Sequence, residues 1–110
     1  MVKKFRRRYL VFKLITKSPL SKYDILNILK KELVQIKGQY SPSLQYIRVI
    51  SYNRNRGLGI LRCDHMLVED LRLAFKNIQR SRYVVQAEIV GVSGTLKALK
   101  RKFLKFEKIK

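Results

Sequence analysis

The sequence contains a single cysteine, Cys63, and a single histidine, His65. No intrachain disulfide can form, and the roughly four nitrogen or sulfur ligands of a zinc site cannot be assembled. Acidic residues are scarce: seven Asp and Glu in 110 residues, with only Glu69 and Asp70 adjacent. Such scatter offers no convergent carboxylates of the kind a two-metal hydrolase needs. Long apolar runs are also missing. Tyr9-Leu10-Val11-Phe12 is broken at Lys13, short of a secretory h-region and far short of the roughly 18 residues that suggest a membrane span. These absences predict a polypeptide without a catalytic site, metal or bound cofactor of its own, working in the cytoplasm and away from membranes.

Positive charge is what the sequence has in excess. Lys and Arg number 26, and the formal net charge is +19. A surplus of this size repels itself in the folded state, and a polyanionic partner relieves it. The ordinary alternative is a lysine-rich surface of the heat-stable type, but such surfaces carry matching glutamates in ion-pair networks. Here the glutamates are lacking, so charge points to nucleic acid. Apolar residues make up 46%, which argues against disorder.

Periodicity places the elements. Tyr9 to Ile15 reads as a first strand, rich in β-branched and aromatic residues. A helix follows, starting either at Ser18 with Pro19 in its first turn or at Ser21, whose spacing to Asp24 is that of a capping box. Ile25, Leu29, Leu33 and Ile36 form its apolar stripe, and Gly38 is its stop. Leu44 to Tyr52 and Leu58 to Cys63 read as strands joined by the turn Asn53 to Gly57. Asp64 is placed to cap a second helix with Leu67, Leu71, Phe75 and Ile78 on one face. Tyr83 to Val92 is the fourth strand, and Ser93-Gly94-Thr95 opens a last helix running to about Phe106. The order β-α-β-β-α-β plus a C-terminal helix predicts an α+β, ferredoxin-like or RRM-like domain with a four-stranded antiparallel sheet. One domain fills residues 1–110, with residues 1–8 as a basic arm.

Comparison with an RRM narrows the chemistry. Arg56-Gly57-Leu58-Gly59-Ile60-Leu61-Arg62-Cys63 keeps the basic residue and both glycines of the RRM strand, but aliphatics replace its stacking aromatics. Base stacking contributes about 1–3 kcal/mol per base in single-strand readers, and this strand lacks it. Its aliphatic face suits a protein partner or a covering C-terminal helix. Ser93-Gly94-Thr95 reads either as a plain N-cap or as a phosphate site of exposed backbone N–H groups. Lys97, Lys100 and Arg101, with Lys102 and Lys105, make the flank of the last helix basic, and Leu96, Leu99, Phe103 and Phe106 its buried stripe. Expected RNA contacts are therefore Ser93, Gly94, Thr95, Lys97, Lys100 and Arg101, then Arg56, Arg62, Arg7 and Arg8. Arg54, beside Arg56 at the hairpin tip, and the rest of the arm are as readily solvated charge. Tyr40, Tyr46 and Tyr52 read as core or rim. Cys63-Asp64-His65 is set aside as a nucleophile-and-base pair, because no orienting group can be named for the lone histidine.

Arg7-Arg8-Tyr9-Leu10, Gly59-Ile60-Leu61-Arg62-Cys63 and above all Gly91-Val92-Ser93-Gly94-Thr95-Leu96 resemble the ribonuclease P protein component 2 family of archaea and eukaryotes. The resemblance covers about Arg7 to Phe103 and suits an archaeal-type member. It implies a subunit that supports the catalytic RNA of ribonuclease P while that RNA, with its own magnesium ions, removes the 5′ leader from precursor tRNA. It also implies a component 3 protein partner and self-association into a two-plus-two assembly.

Overall fold

The computed structural model describes residues 6–38, 44 and 46–101. The elements follow in the order β1 (Arg7–Thr16), α1 (Lys22–Lys37), β2 (Arg48–Asn53), β3 (Leu58–Asp64), α2 (Val68–Ile78), β4 (Val84–Ser93) and α3 (Leu96–Leu99). The strands form one antiparallel sheet in the order β2-β3-β1-β4. This is the ferredoxin-like arrangement expected from the sequence.

Local chemistry sets most of the boundaries. Ser21, not Ser18, starts α1: its Oγ accepts from Asp24 N–H at 3.2 Å and Asp24 Oδ2 accepts from Ser21 N–H at 3.0 Å. Gly38 ends the helix at φ +79°, donating its N–H to Val34 O at 2.8 Å. Several boundaries differ from the sequence reading: β1 is longer than Tyr9–Ile15, and β2 and β3 each end one residue later than expected. The strand expected from Leu44 begins at Arg48, because Ile47 N–H bonds locally to Leu44 O and both side chains are buried in the core. Asp64 does not cap α2. It ends β3 before a 3₁₀ turn, His65–Leu67, and its carboxylate accepts from His65 Nδ1–H at 2.8 Å instead. The fourth strand runs one residue later than expected, since Tyr83 O is taken by Lys17 N–H and Ser93 pairs with Tyr9. The last helix is described as α3 and a π-type turn at residues 100–101; Phe103 and Phe106 lie outside the described residues.

Alternation along β1 divides the core in two. Leu10, Phe12 and Leu14 face α1 and α2, packing with Ile25, Leu29, Leu33, Leu71 and Phe75. Val11 faces the other way, where with Ile60 and Leu99 of α3 it makes a smaller cluster. The C-terminal helix thus covers part of the aliphatic sheet face, one of the two fates the sequence suggested for it.

The glycines of the RRM-like strand serve packing. Gly57, at φ +71°, closes the hairpin by donating to Asn53 O. Gly59 lies between Phe12 and Tyr52 in the cross-strand register, and the two rings stack across it with centroids 5.9 Å apart and planes 11° off parallel. A Cβ on Gly59 would overlap the Phe12 ring and come within 2.8 Å of Ser51 O. Phe12 is itself wedged against Phe75 at 5.4 Å, so it cannot swing aside. Gly59→Ala should therefore destabilise the fold by about 1–3 kcal/mol, the usual cost of overpacking, read as a lower urea midpoint at unchanged slope.

Cys63 belongs to the helix-side core and is fully buried. Burial first, and the Asp64 carboxylate second, push its thiol from an ordinary 9.0 up to about 12, against the pull of Arg8. The folded chain thus holds a proton that the unfolded chain releases. The associated stability is complete below about pH 9 and is lost as pH rises toward 12. At pH 8 iodoacetamide should leave the native thiol unmodified and alkylate it only in urea; rapid labelling of the native protein would contradict this burial.

Candidate nucleic-acid interface

The strand register sets two arginines side by side in a cross-strand row. Ser93, Tyr9, Arg62 and Arg48 are successive cross-strand partners on β4, β1, β3 and β2. Directly opposed residues share a face, and Tyr9 packs with the α3-side cluster. This row therefore lies on the sheet face away from α1 and α2. Lys13 is on that face too, opposite Leu58 and Glu88.

The Ser93-Gly94-Thr95 junction stands at the β4 end of the row. Thr95 is the N-cap of α3, its Oγ1 accepting from Ala98 N–H at 3.2 Å, and Ser93 Oγ accepts from Thr95 N–H at 3.3 Å. The capping reading of this tripeptide is thus realised, and these hydroxyls occupy N–H groups that a phosphate would otherwise take. What the junction has beside it is a guanidinium: Arg8 Nη1 lies 3.9 Å from where a Cβ on Gly94 would sit, and donates to Arg7 O at 2.9 Å. Lys97, Lys100 and Arg101 are exposed on the segment that follows.

The expected residues are thus brought together in part. Arg8, Ser93, Gly94 and Thr95 meet at one end of the sheet, with Arg62 in the adjoining row and exposed Arg7 next to Arg8 on β1. Arg56 is apart from them. It sits on the hairpin turn, six residues of extended chain or about 20 Å from Arg62 along β3. Lys102 and Lys105 of the basic flank, and Lys3 and Lys4 of the arm, lie outside the described residues, as does Tyr40. Tyr46 is exposed and Tyr52 half-buried. Arg48 was missed by sequence reasoning. Counting outward from the Asn53–Gly57 turn would set Val49 opposite Arg62; the irregularity between Val49 and Ser51, seen only in the fold, brings Arg48 there instead.

Acidic side chains are distributed oppositely. Asp24 is in the α1 capping box, Glu32 accepts from Asn77, Glu69 pairs with Arg72 at 3.7 Å and Asp70 with Lys37 at 2.9 Å. All four belong to the helical layer. Of the described acids on the sheet, Asp64 is buried against His65, and Glu88 accepts from Gln86 at the β4 edge. Negative charge is thus held mostly on one layer, and the row across the other face is left cationic.

Asp64 orients His65, an orienting partner the sequence did not name, but the Cys63 thiol faces the core and no nucleophile-and-base pair forms. Among the described residues no three His, Cys, Asp or Glu side chains gather in a metal-sized cluster. Nor is any described helix long and apolar enough to cross a membrane.

Comparison with known proteins agrees with this architecture. A protein of Pyrococcus horikoshii named ribonuclease P protein component 2 is 31% identical over 102 residues, spanning 90% of this chain and 83% of its own length. One of the same name from Methanosarcina mazei is 32% identical over 103 residues, spanning 93% of this chain and 87% of its own length. The sequence profile of the Rpp14/Pop5 family matches residues 8–104, a stretch that includes Arg8, the hairpin and the Ser93-Gly94-Thr95 junction. This chain belongs to the Rpp14/Pop5 family.

Proposed function

We propose that this protein is a subunit of ribonuclease P that binds and stabilises the catalytic RNA, allowing that RNA to remove the 5′ leader from precursor tRNA. The observation that carries the proposal is the segregation of charge. The cross-strand pair Arg62 and Arg48 lies on the sheet face that also carries α3, Arg8 stands at the Gly94 junction, and Lys97, Lys100 and Arg101 are exposed, while four of the described acids sit on the opposite layer. A surface of this kind suits phosphates, which position a protein on RNA without reading bases. The archaeal relatives bearing the component 2 name supply the identity of the RNA.

In this reading the polypeptide performs no bond-breaking step and binds no cofactor; the RNA holds the magnesium ions that drive hydrolysis. A component 3 protein is its partner, a second copy of the chain completes a two-plus-two assembly, and the complex works in the cytoplasm. The contacts are Arg8, Ser93, Gly94, Thr95, Lys97, Lys100, Arg101 and Arg62, with Arg48 added by the register and Arg7 and Arg56 as outlying contacts.

Reconstitution tests the role. Adding this chain to ribonuclease P RNA and component 3 should accelerate precursor-tRNA cleavage in magnesium. A chain that binds RNA yet leaves cleavage unchanged would instead be an RNA binder of the ribosomal type. The interface has its own readout. Replacing Lys97, Lys100 and Arg101 by Ala should weaken RNA binding and flatten the plot of log affinity against log salt by up to about 0.9 for each phosphate no longer neutralised. The pair Arg48→Ala and Arg62→Ala should act in the same direction, and an unchanged slope in both variants would remove this face from the interface.

A further inference from the structure

At the far end of the sheet a cavity of about 380 Å³ opens where β1 runs out and the β2–β3 hairpin turns over it. Its apolar wall is Pro19, Leu20 and the Tyr52 ring, and its rim carries Lys17, Arg54 and Asn55. Neither the Lys17 nor the Arg54 head group has an ion pair among the described residues. The site is firmly built. Tyr52 Oη donates to Leu14 O at 2.6 Å, Lys17 N–H donates to Tyr83 O at 2.8 Å, and Asn53 Oδ1 accepts from the N–H groups of Asn55 and Arg56. The Tyr52 phenol, raised above 10.0 by burial, stays neutral and does not repel an anion.

A concave apolar wall beside these two cations fits a ligand with one flat apolar body and one negative charge. The volume lies in the lower part of the range of small-molecule sites, about 300–1,000 Å³. Inorganic phosphate would leave the wall bare, and a base-paired helix keeps its bases turned inward, away from any hollow. An unstacked nucleotide satisfies both halves, and loops and bulges are where RNA presents one.

We propose that this hollow captures a single unpaired nucleotide of the bound RNA, its base against Pro19, Leu20 and Tyr52 and its phosphate between Lys17 and Arg54. The inference rests on the RNA-binding reading above and adds a second anchor. The stretch of β1 from Tyr9 to Thr16 separates this cavity from the Arg62 row by about 23 Å, so the protein grips its RNA at two points, one by charge alone and one by shape.

The full chain is titrated by fluorescence anisotropy with two RNA hairpins matched in phosphate number, one fully paired and one with a single-nucleotide bulge. The natural protein should bind the bulged hairpin about tenfold more tightly, within the range of one stacked base. Lys17→Ala combined with Arg54→Ala should bind both hairpins alike. Lys30→Ala combined with Lys31→Ala, which removes equal charge from α1, should keep the preference. No preference in the natural protein, or a preference that survives loss of Lys17 and Arg54, overturns the pocket and leaves the cationic face standing. Failure of the natural protein to bind either hairpin at low salt overturns RNA binding itself, and the pocket with it. NMR titration separates a protein ligand: adenosine monophosphate should shift the Lys17 and Arg54 amide signals, and an acidic peptide that shifts them where the nucleotide does not would overturn the assignment.

Discussion

The Phe12 ring lying on the bare backbone of Gly59 is the contact on which the rest of this structure depends. Phe12 stands on β1, and beneath it Gly59 of β3 offers no side chain, so the ring reaches across to stack on Tyr52 of β2. Tyr52 then returns a hydrogen bond to Leu14 O on β1. Three strands are clamped through one ring pair, and Phe75 of α2 locks the ring from above. An aromatic covering a strand glycine in this way pins the register of its neighbours. The position of Tyr52 at the mouth of the hairpin cavity is a consequence of that register, and the irregularity between Val49 and Ser51 then brings Arg48 opposite Arg62.

With the sheet pinned, its two faces take different roles. The inner face is filled by α1 and α2, which also carry most of the described acids. The outer face carries α3, where Leu96 and Leu99 settle on Val11 and Ile60. At one end of the sheet this face bears Arg62, Arg48 and the Ser93-Gly94-Thr95 junction. At the other end the cavity between Lys17 and Arg54 opens on the helix side, where Leu20 and Tyr52 pack against the main core.

The same division explains why neighbours in sequence do not become neighbours in chemistry. Cys63, Asp64 and His65 are consecutive, yet alternation sends the thiol into the core while the carboxylate meets the imidazole on the turn. The pair fixes how β3 passes into α2, a passage helped by His65 N–H donating to Arg6 O at 2.7 Å. A buried thiol held near pKa 12 is a packing residue.

Much of this was legible in the sequence, because the rules involved act over a few residues. The capping box at Ser21, the stop at Gly38, the hairpin turn ending at Gly57 and the α+β order of elements follow from local hydrogen bonding and from periods of 2 and 3.6. The motif around Ser93-Gly94-Thr95 pointed to the family. Tertiary structure decided the rest. Leu44 left the strand for the core, Asp64 turned to His65 rather than to a helix end, Arg48 joined Arg62 while Arg56 was carried to the opposite end, and a cavity formed between segments distant in the chain. Periodicity tells which residues of one strand share a face, but which residues of the next strand lie beside them depends on register, and register is set by packing across the whole sheet.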